Sequence, residues 1–217
     1  VLSKADLEAV AELAIAHDLW VISDEVYSRL VFDGDFRSIT AIPGMQERTI
    51  LIDGFSKAYA MTGWRLGYGV MNEELAQTMA RLETNSESCT ATFTQLAGLE
   101  ALTGPQEAAE AMAAEFRRRR DLIVAGLNQI EGVTCCNPGG AFYVYPNVTG
   151  ACRKLGLVDS KAFQRYLLYE AGVAVLARTC FGCRNQGEDQ EYVRLSYATS
   201  PEQIKEGLAR IKNAVER

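Results

Sequence analysis

Apolar residues recur along the chain at two different spacings, which separates helices from strands. Leu7, Val10, Ala11 and Ala14 repeat at helical intervals behind Ser3 and Asp6, a capping-box pattern, so 4–17 is predicted as an amphipathic helix. Apolar runs at 20–26, 49–53 and 66–70 are short enough to be buried strands. Leu75, Met79 and Leu82 mark a further helix, and Leu96, Leu99 and Leu102 the next. Gly104-Pro105 breaks the chain, after which Met112, Phe116, Ile123, Leu127 and Ile130 stripe one long helix. Beyond Gly132 the pattern changes to short strands at 133–136, 141–145, 173–176 and 192–197, interleaved with helices near 159–171 and 201–216. Ser200 and Pro201 make a good start for the last helix, with Gln203 at the capping-box position.

Helix alternating with buried strand is the α/β pattern, in which sites gather at the carboxyl ends of parallel strands. Asp24, Tyr27 and Lys57 all sit at or just past such ends. The later half reads as a smaller α+β domain, so the expected division is 1–104 and 105–217, with the long helix as the bridge.

With 217 residues, 48% of them hydrophobic, the chain can fill a sizeable core. Its net charge of −6 argues against a nucleic-acid partner. No apolar run is long enough for a bilayer and residues 1–16 do not resemble a signal peptide, so no membrane is expected and the protein reads as soluble and cytoplasmic. Six cysteines are present, at 89, 135, 136, 152, 180 and 183. Only Cys180-Phe-Gly-Cys183 has the spacing of a ligand pair, and the single histidine, His17, completes no usual set, so no metal is expected. Reduced thiols are the first expectation, and a redox role for Cys180 and Cys183 is the alternative. The chain opens on Val1, directly into a helix start, and is expected to be a piece of something longer.

The candidate chemistry lies in two stretches. The run at 49–53 leads into Gly54-Phe-Ser-Lys57, with Arg65 eight residues further on after Met-Thr-Gly-Trp, and the preceding run ends in Asp24 and Tyr27. A lysine where a buried strand emerges into a loop can be desolvated, which lowers its pKa and frees the amine for Schiff-base chemistry. A carboxylate at the neighbouring strand end can balance a cationic ring, and arginine suits a phosphate. The ordinary readings are a solvated lysine, a turn aspartate and an amphipathic strand-end tyrosine. Residues 117–120, four arginines in a row, read as a solvated helix face, and His17 as a helix-ending residue that suits the dipole. Asn137-Pro-Gly-Gly-Ala-Phe reads as a turn into a strand. There is no Gly-x-Ser-x-Gly elbow and no phosphate-binding glycine motif.

These two stretches closely resemble the corresponding segments of fold type I pyridoxal phosphate-dependent aminotransferases, in the branch that holds aspartate and aromatic aminotransferases. The resemblance implies the C-terminal part of a large pyridoxal phosphate-binding α/β domain, mostly parallel, followed by the small C-terminal domain. It implies pyridoxal 5'-phosphate as cofactor, with Lys57 carrying the aldimine and its freed amine moving the proton between the substrate's Cα and the cofactor. Asp24 would keep the pyridine nitrogen protonated, and Tyr27 would hydrogen-bond the ring's phenolic oxygen. Ser56 and Arg65 would bind the phosphate. Arg194, in Tyr192-Val-Arg-Leu-Ser-Tyr, would grip the substrate α-carboxylate, on the strand face opposite Val193, Leu195 and Tyr197. Substrates would be an amino acid and a 2-oxo acid, tilted towards aspartate or aromatic ones, and the assembly a homodimer. Gly54 departs from the pattern, since many relatives carry serine or threonine there, and this thins the phosphate cup. Full-length relatives are nearly twice as long, so the strands at 20–26 and 49–53 are expected to expose edges and apolar faces. Two alternatives stay open: another fold type I chemistry, such as β-elimination or decarboxylation, and a non-catalytic aminotransferase-like module.

Overall fold

The computed structural model describes residues 1–217. The chain forms two compact units, Val1–Ala113 and Ala114–Arg217.

The first unit begins with helix α1, Lys4–Ala16. Its capping box is reciprocal: Asp6 N donates to Ser3 Oγ at 3.2 Å, and Ser3 N donates to the Asp6 carboxylate at 2.8 Å. His17 caps the other end. Leu7, Ala11 and Ala14 bury against Ile39 and Met45. Val10, expected on the same stripe, lies at its rim and is 40% exposed.

Strands β1 (Val21–Asp24) and β2 (Thr49–Gly54) pair in parallel, with Val21 opposite Thr49 and Asp24 opposite Ile52. Strand β3 (Gly67–Val70) joins the other side of β2 in the antiparallel sense, giving the order β1-β2-β3. It was expected as a buried strand, yet every one of its residues is exposed. Two causes are visible: β3 is an edge, and Gly67 and Gly69 contribute no side chain to bury. The connection from β2 consists of the short helix α2 (Phe55–Ala58) and one 3-10 turn (Thr62–Trp64), which is compact enough to return the chain antiparallel. The expected open faces are present, Ile22 on β1 being 68% exposed.

Helices α3 (Glu73–Ser86) and α4 (Thr92–Thr103) follow. The Leu96, Leu99 and Leu102 stripe of α4 faces solvent, and the helix buries Thr94 and Gly98 instead. Gly98 is there for closeness: a Cβ on it would lie 2.4 Å from Leu66 Cδ2 and 3.2 Å from Phe55 Cζ.

The long helix α5 (Glu107–Leu127) runs into the second unit, where Ile123 and Leu127 join a core that includes Val144, Phe163, Leu167, Val193 and Val215. Strands β4 (Tyr143–Val144), β5 (Leu176–Ala177) and β6 (Val193–Ser196) form an antiparallel sheet in the order β4-β6-β5. Helices α6 (Thr149–Lys154), α7 (Ser160–Tyr166) and α8 (Pro201–Glu216) complete it. A π turn, Leu167–Ala171, extends α7 and ends at Gly172, whose φ of 63° places it in the left-handed region.

Three expectations for this unit need correction. Residues 133–136 form no strand: Thr134 makes a single bridge to Asn147, while the Asn128 amide accepts from Cys135 N at 2.8 Å and donates to Cys135 O at 2.9 Å, taking the place of a ladder partner. The strand expected at 173–176 lies at Leu176–Ala177, because the π turn occupies the chain up to Gly172. The four arginines are not one solvated face. Arg120 is only 2% exposed, with Nε 2.9 Å from the Asp121 carboxylate and Nη1 3.1 Å from Pro138 O. It shares the buried helix stripe of Ile123 and Leu127.

All six cysteines are free thiols, with Cys135 and Cys152 buried. Burial pushes both of these thiols up to about 11. A thiol pKa raised in the folded state favours folding below the unfolded value of about 8.5 and loses that contribution as pH rises towards the folded value. Melting curves should therefore fall across about pH 8.5 to 11, and Cys152→Ala should reduce the fall.

Candidate active site

The candidate residues fall in both units, and each group has its own local geometry. In the first unit, parallel register sets Asp24 abreast of Ile52, and Glu25 N donates to Ile52 O at 2.8 Å, prolonging the ladder by one residue. The carboxyl ends of β1 and β2 therefore emerge together. Asp24 is exposed, and one of its carboxylate oxygens accepts from Val26 N at 3.2 Å, the Asx-turn role that short acidic residues often play. Strand alternation puts Asp24 on the sheet face of Ile22, and register adds Ile52 and Gly69 to the same row. Tyr27 is half-buried in the turn that follows, whose backbone is closed by Ser28 N to Glu25 O at 2.8 Å and Leu30 N to Tyr27 O at 2.9 Å.

Lys57 does not sit in a loop, as expected, but in α2, one helical turn capped by Gly54 without a side-chain bond. Phe55 and Ala58 are buried and anchor that turn, leaving Ser56 and Lys57 half-buried. The Phe55 ring lies 5.7 Å from the rings of both Tyr59 and Tyr68. Lys57 is thus carried on a turn fixed from below. Arg65 adopts φ 52° and ψ 53°, a left-handed conformation that is uncommon outside glycine, and its Nη1 donates to Thr62 O at 2.8 Å. It faces an open cavity of about 680 Å³, also lined by Trp64, Cys89, Thr90 and Phe93.

Two supporting residues escaped the sequence reading. Glu25 is buried beside exposed Asp24, and its Oε1 accepts from Ser23 Oγ at 3.0 Å and Ser38 Oγ at 2.6 Å, tying down the turn that carries Asp24 and Tyr27. Strand alternation was the available signal, since it sends neighbours in an Asp-Glu pair to opposite faces. Gln106 accepts from Arg29 Nη1 at 2.7 Å and Tyr59 OH at 3.1 Å, a link across the sequence with no local signature. On the far side of β2, the Tyr68 hydroxyl donates to Asp53 at 3.1 Å; burial, with the neighbouring carboxylate second, holds that phenol above its ordinary value.

In the second unit, Val193 and Leu195 are buried and Arg194 occupies the opposite face of β6, as the alternation predicted. Its guanidinium carbon lies 4.4 Å from the Tyr143 ring centroid and 4.8 Å from that of Phe181. Two aromatic faces hold this cation, so its forked donors are oriented without a carboxylate of this chain.

The donor set fits pyridoxal phosphate. A carboxylate suits a pyridinium nitrogen, a phenol the ring oxygen, a primary amine the aldehyde, and a hydroxyl with a guanidinium the phosphate. Asp24 is exposed and Lys57 half-buried.

The mixed α/β architecture is that of the fold type I aminotransferases: the aromatic aminotransferase of Pyrococcus horikoshii OT3 superposes with a TM-score of 0.91 at 40% identity, over 100% of this chain and 56% of that one. The aspartate aminotransferase of Rhizobium meliloti gives 0.89 at 36% identity, over 100% and 55%. The chain belongs to the family of class I and II aminotransferases, whose model matches residues 1–211. An aspartate/prephenate aminotransferase of Cereibacter sphaeroides is 43% identical over 218 residues, which is 97% of this chain and 53% of that protein. The chain spans about half the length of the curated relatives it matches.

Proposed function

We propose that this chain is the C-terminal portion of a pyridoxal phosphate-dependent aminotransferase, which moves an amino group from an amino acid to a 2-oxo acid. The observation that carries this reading is the parallel register that brings Asp24 abreast of the strand leading directly into Lys57, in a chain of this family. When bound, pyridoxal phosphate supplies an electron sink for negative charge at the amino acid's Cα. In this reading the Asp24 carboxylate holds the proton on the ring nitrogen, and Tyr27 hydrogen-bonds the ring oxygen. Ser56 Oγ and the Arg65 guanidinium bind the phosphate. Lys57 Nζ takes the proton from Cα and returns it on the cofactor side. Arg194 orients the substrate by binding its α-carboxylate, and the aromatic rings beside it restrict the approach of that carboxylate to the free edge of the guanidinium. Aspartate or aromatic substrates, a homodimeric assembly and a cytoplasmic location belong to the same reading.

The half-reaction tests it. Amino acid added without a 2-oxo acid acceptor to the cofactor-loaded protein should convert bound pyridoxal phosphate to pyridoxamine phosphate, one equivalent per site, with release of the matching 2-oxo acid. Elimination or decarboxylation would instead turn over continuously without that accumulation, and a non-catalytic module would leave the amino acid unchanged.

A further inference from the structure

The reading above leaves unused the dithiol Cys180-Phe-Gly-Cys183, on the connection between β5 and β6. Both thiols are exposed and free. Between them lies Phe181, one of the two rings that hold Arg194, and its own ring meets Tyr145 edge-on at 5.8 Å. The connection is anchored on both sides of the pair: buried Arg178 binds Glu188 at 2.9 Å, and Arg184 binds buried Glu191. Between these anchors a 3-10 turn, Arg178–Phe181, ends at Gly182 with φ 113° and ψ −177°. That conformation is essentially reserved for glycine. Phe181 and Gly182 both lie inside the ring that a bond between the Cys180 and Cys183 sulfurs would close, so a backbone adjustment made on closure would pass through Phe181.

We propose that Cys180 and Cys183 are a modification site, a dithiol that a low-molecular-weight disulfide oxidises to an intramolecular disulfide, drawing Phe181 away from Arg194 and loosening the hold on the substrate carboxylate. The last clause rests on the reading of Arg194 given above; the oxidation and the movement of Phe181 do not. One protein thiolate attacks a sulfur of the small disulfide, breaking its S–S bond and releasing one small thiol. The second protein thiolate then attacks the resulting mixed disulfide and expels the other. Two electrons and two protons leave the protein and appear in two small thiols. The buried Cys135 and Cys152, with thiols raised to about 11, are poor competitors at neutral pH.

The test uses oxidised glutathione, peptide mass mapping and nuclear magnetic resonance of the arginine-labelled chain. The peptide carrying Cys180 and Cys183 should lose two hydrogens and retain no glutathione. The Arg194 Nε–H resonance, assigned with Arg194→Lys and displaced by the currents of its two rings, should move towards the free-arginine position on oxidation and return with dithiothreitol. Phe181→Leu should show the moved resonance in both states, and Cys180→Ser should abolish the response. Glutathione retained on either cysteine, or a disulfide that leaves the Arg194 resonance in place, overturns the proposal. In the cofactor-loaded protein, oxidation should also weaken amino-acid binding on the order of fivefold, the scale of a partly exposed cation–π contact. Disulfide and resonance shift with unchanged amino-acid affinity would instead reject Arg194 as the carboxylate clamp.

Discussion

Replacing Lys57 with alanine is expected to lower amino transfer by roughly 10²–10⁴-fold, the range lost when a positioned proton-transfer group is removed. The loss should fall on the chemical step. Lys57 is half-buried on α2, and the residues that fix this turn are its neighbours Phe55 and Ala58. Removing the amine therefore leaves the anchor intact, and the far-ultraviolet spectrum and melting temperature should stay close to the parent's. Rapid mixing with an amino acid isolates the half-reaction from product release, and pyridoxamine phosphate formation gives its rate. A variant that forms pyridoxamine phosphate at the parent rate would remove Lys57 from the chemistry.

Phe55→Ala should cost about 3–5 kcal/mol of stability, as for other buried phenylalanines cut to alanine. Phe55 is 4% exposed and packs between Tyr59 and Tyr68, with Gly98 of α4 pressed close to its ring. The cavity cannot be filled from Gly98, which has no side chain to move inwards. Because the same residue anchors the turn that carries Ser56 and Lys57, loss of stability and loss of cofactor attachment should go together. Phe55→Leu should restore most of both by refilling the space. Denaturant midpoints at constant slope measure the first effect, and the absorbance of bound cofactor the second.

Features specified by neighbouring residues were readable in the sequence. The reciprocal Ser3 and Asp6 bonds and the Ser200 cap ahead of Pro201 depend on side chains within one turn of the backbone they satisfy. The opposite facing of Arg194 from Val193 and Leu195 follows from strand alternation alone. The features missed depend on partners distant in sequence. Asn128 replaces a strand partner for Cys135, and Gln106 joins Arg29 to Tyr59; neither has a periodic signature. The exposure of β3 reflects its place at a sheet edge, which its own residues do not encode. Arg120 is a different kind of miss. Helical period already put it on the stripe of Phe116, Ile123 and Leu127, but the run of like charges around it suggested a solvated face, and the Pro138 carbonyl that satisfies it came from a separate turn. The candidate residues Asp24, Tyr27, Ser56, Lys57 and Arg65 were picked out by short spacings at strand ends together with the resemblance to fold type I aminotransferases, whereas the buried Glu25 bracing that turn needed Ser38 to be brought to it.

The central claim is that Lys57 is the residue to which pyridoxal phosphate attaches. Incubation of the chain with pyridoxal phosphate, reduction with borohydride and peptide mass mapping tests it directly, because reduction fixes the cofactor to whichever amine holds it. The account predicts a single reduced pyridoxyl group on Lys57, absent from the Lys57→Ala variant. A reduced group concentrated on another lysine, or spread over several with the same yield in the variant, would contradict it.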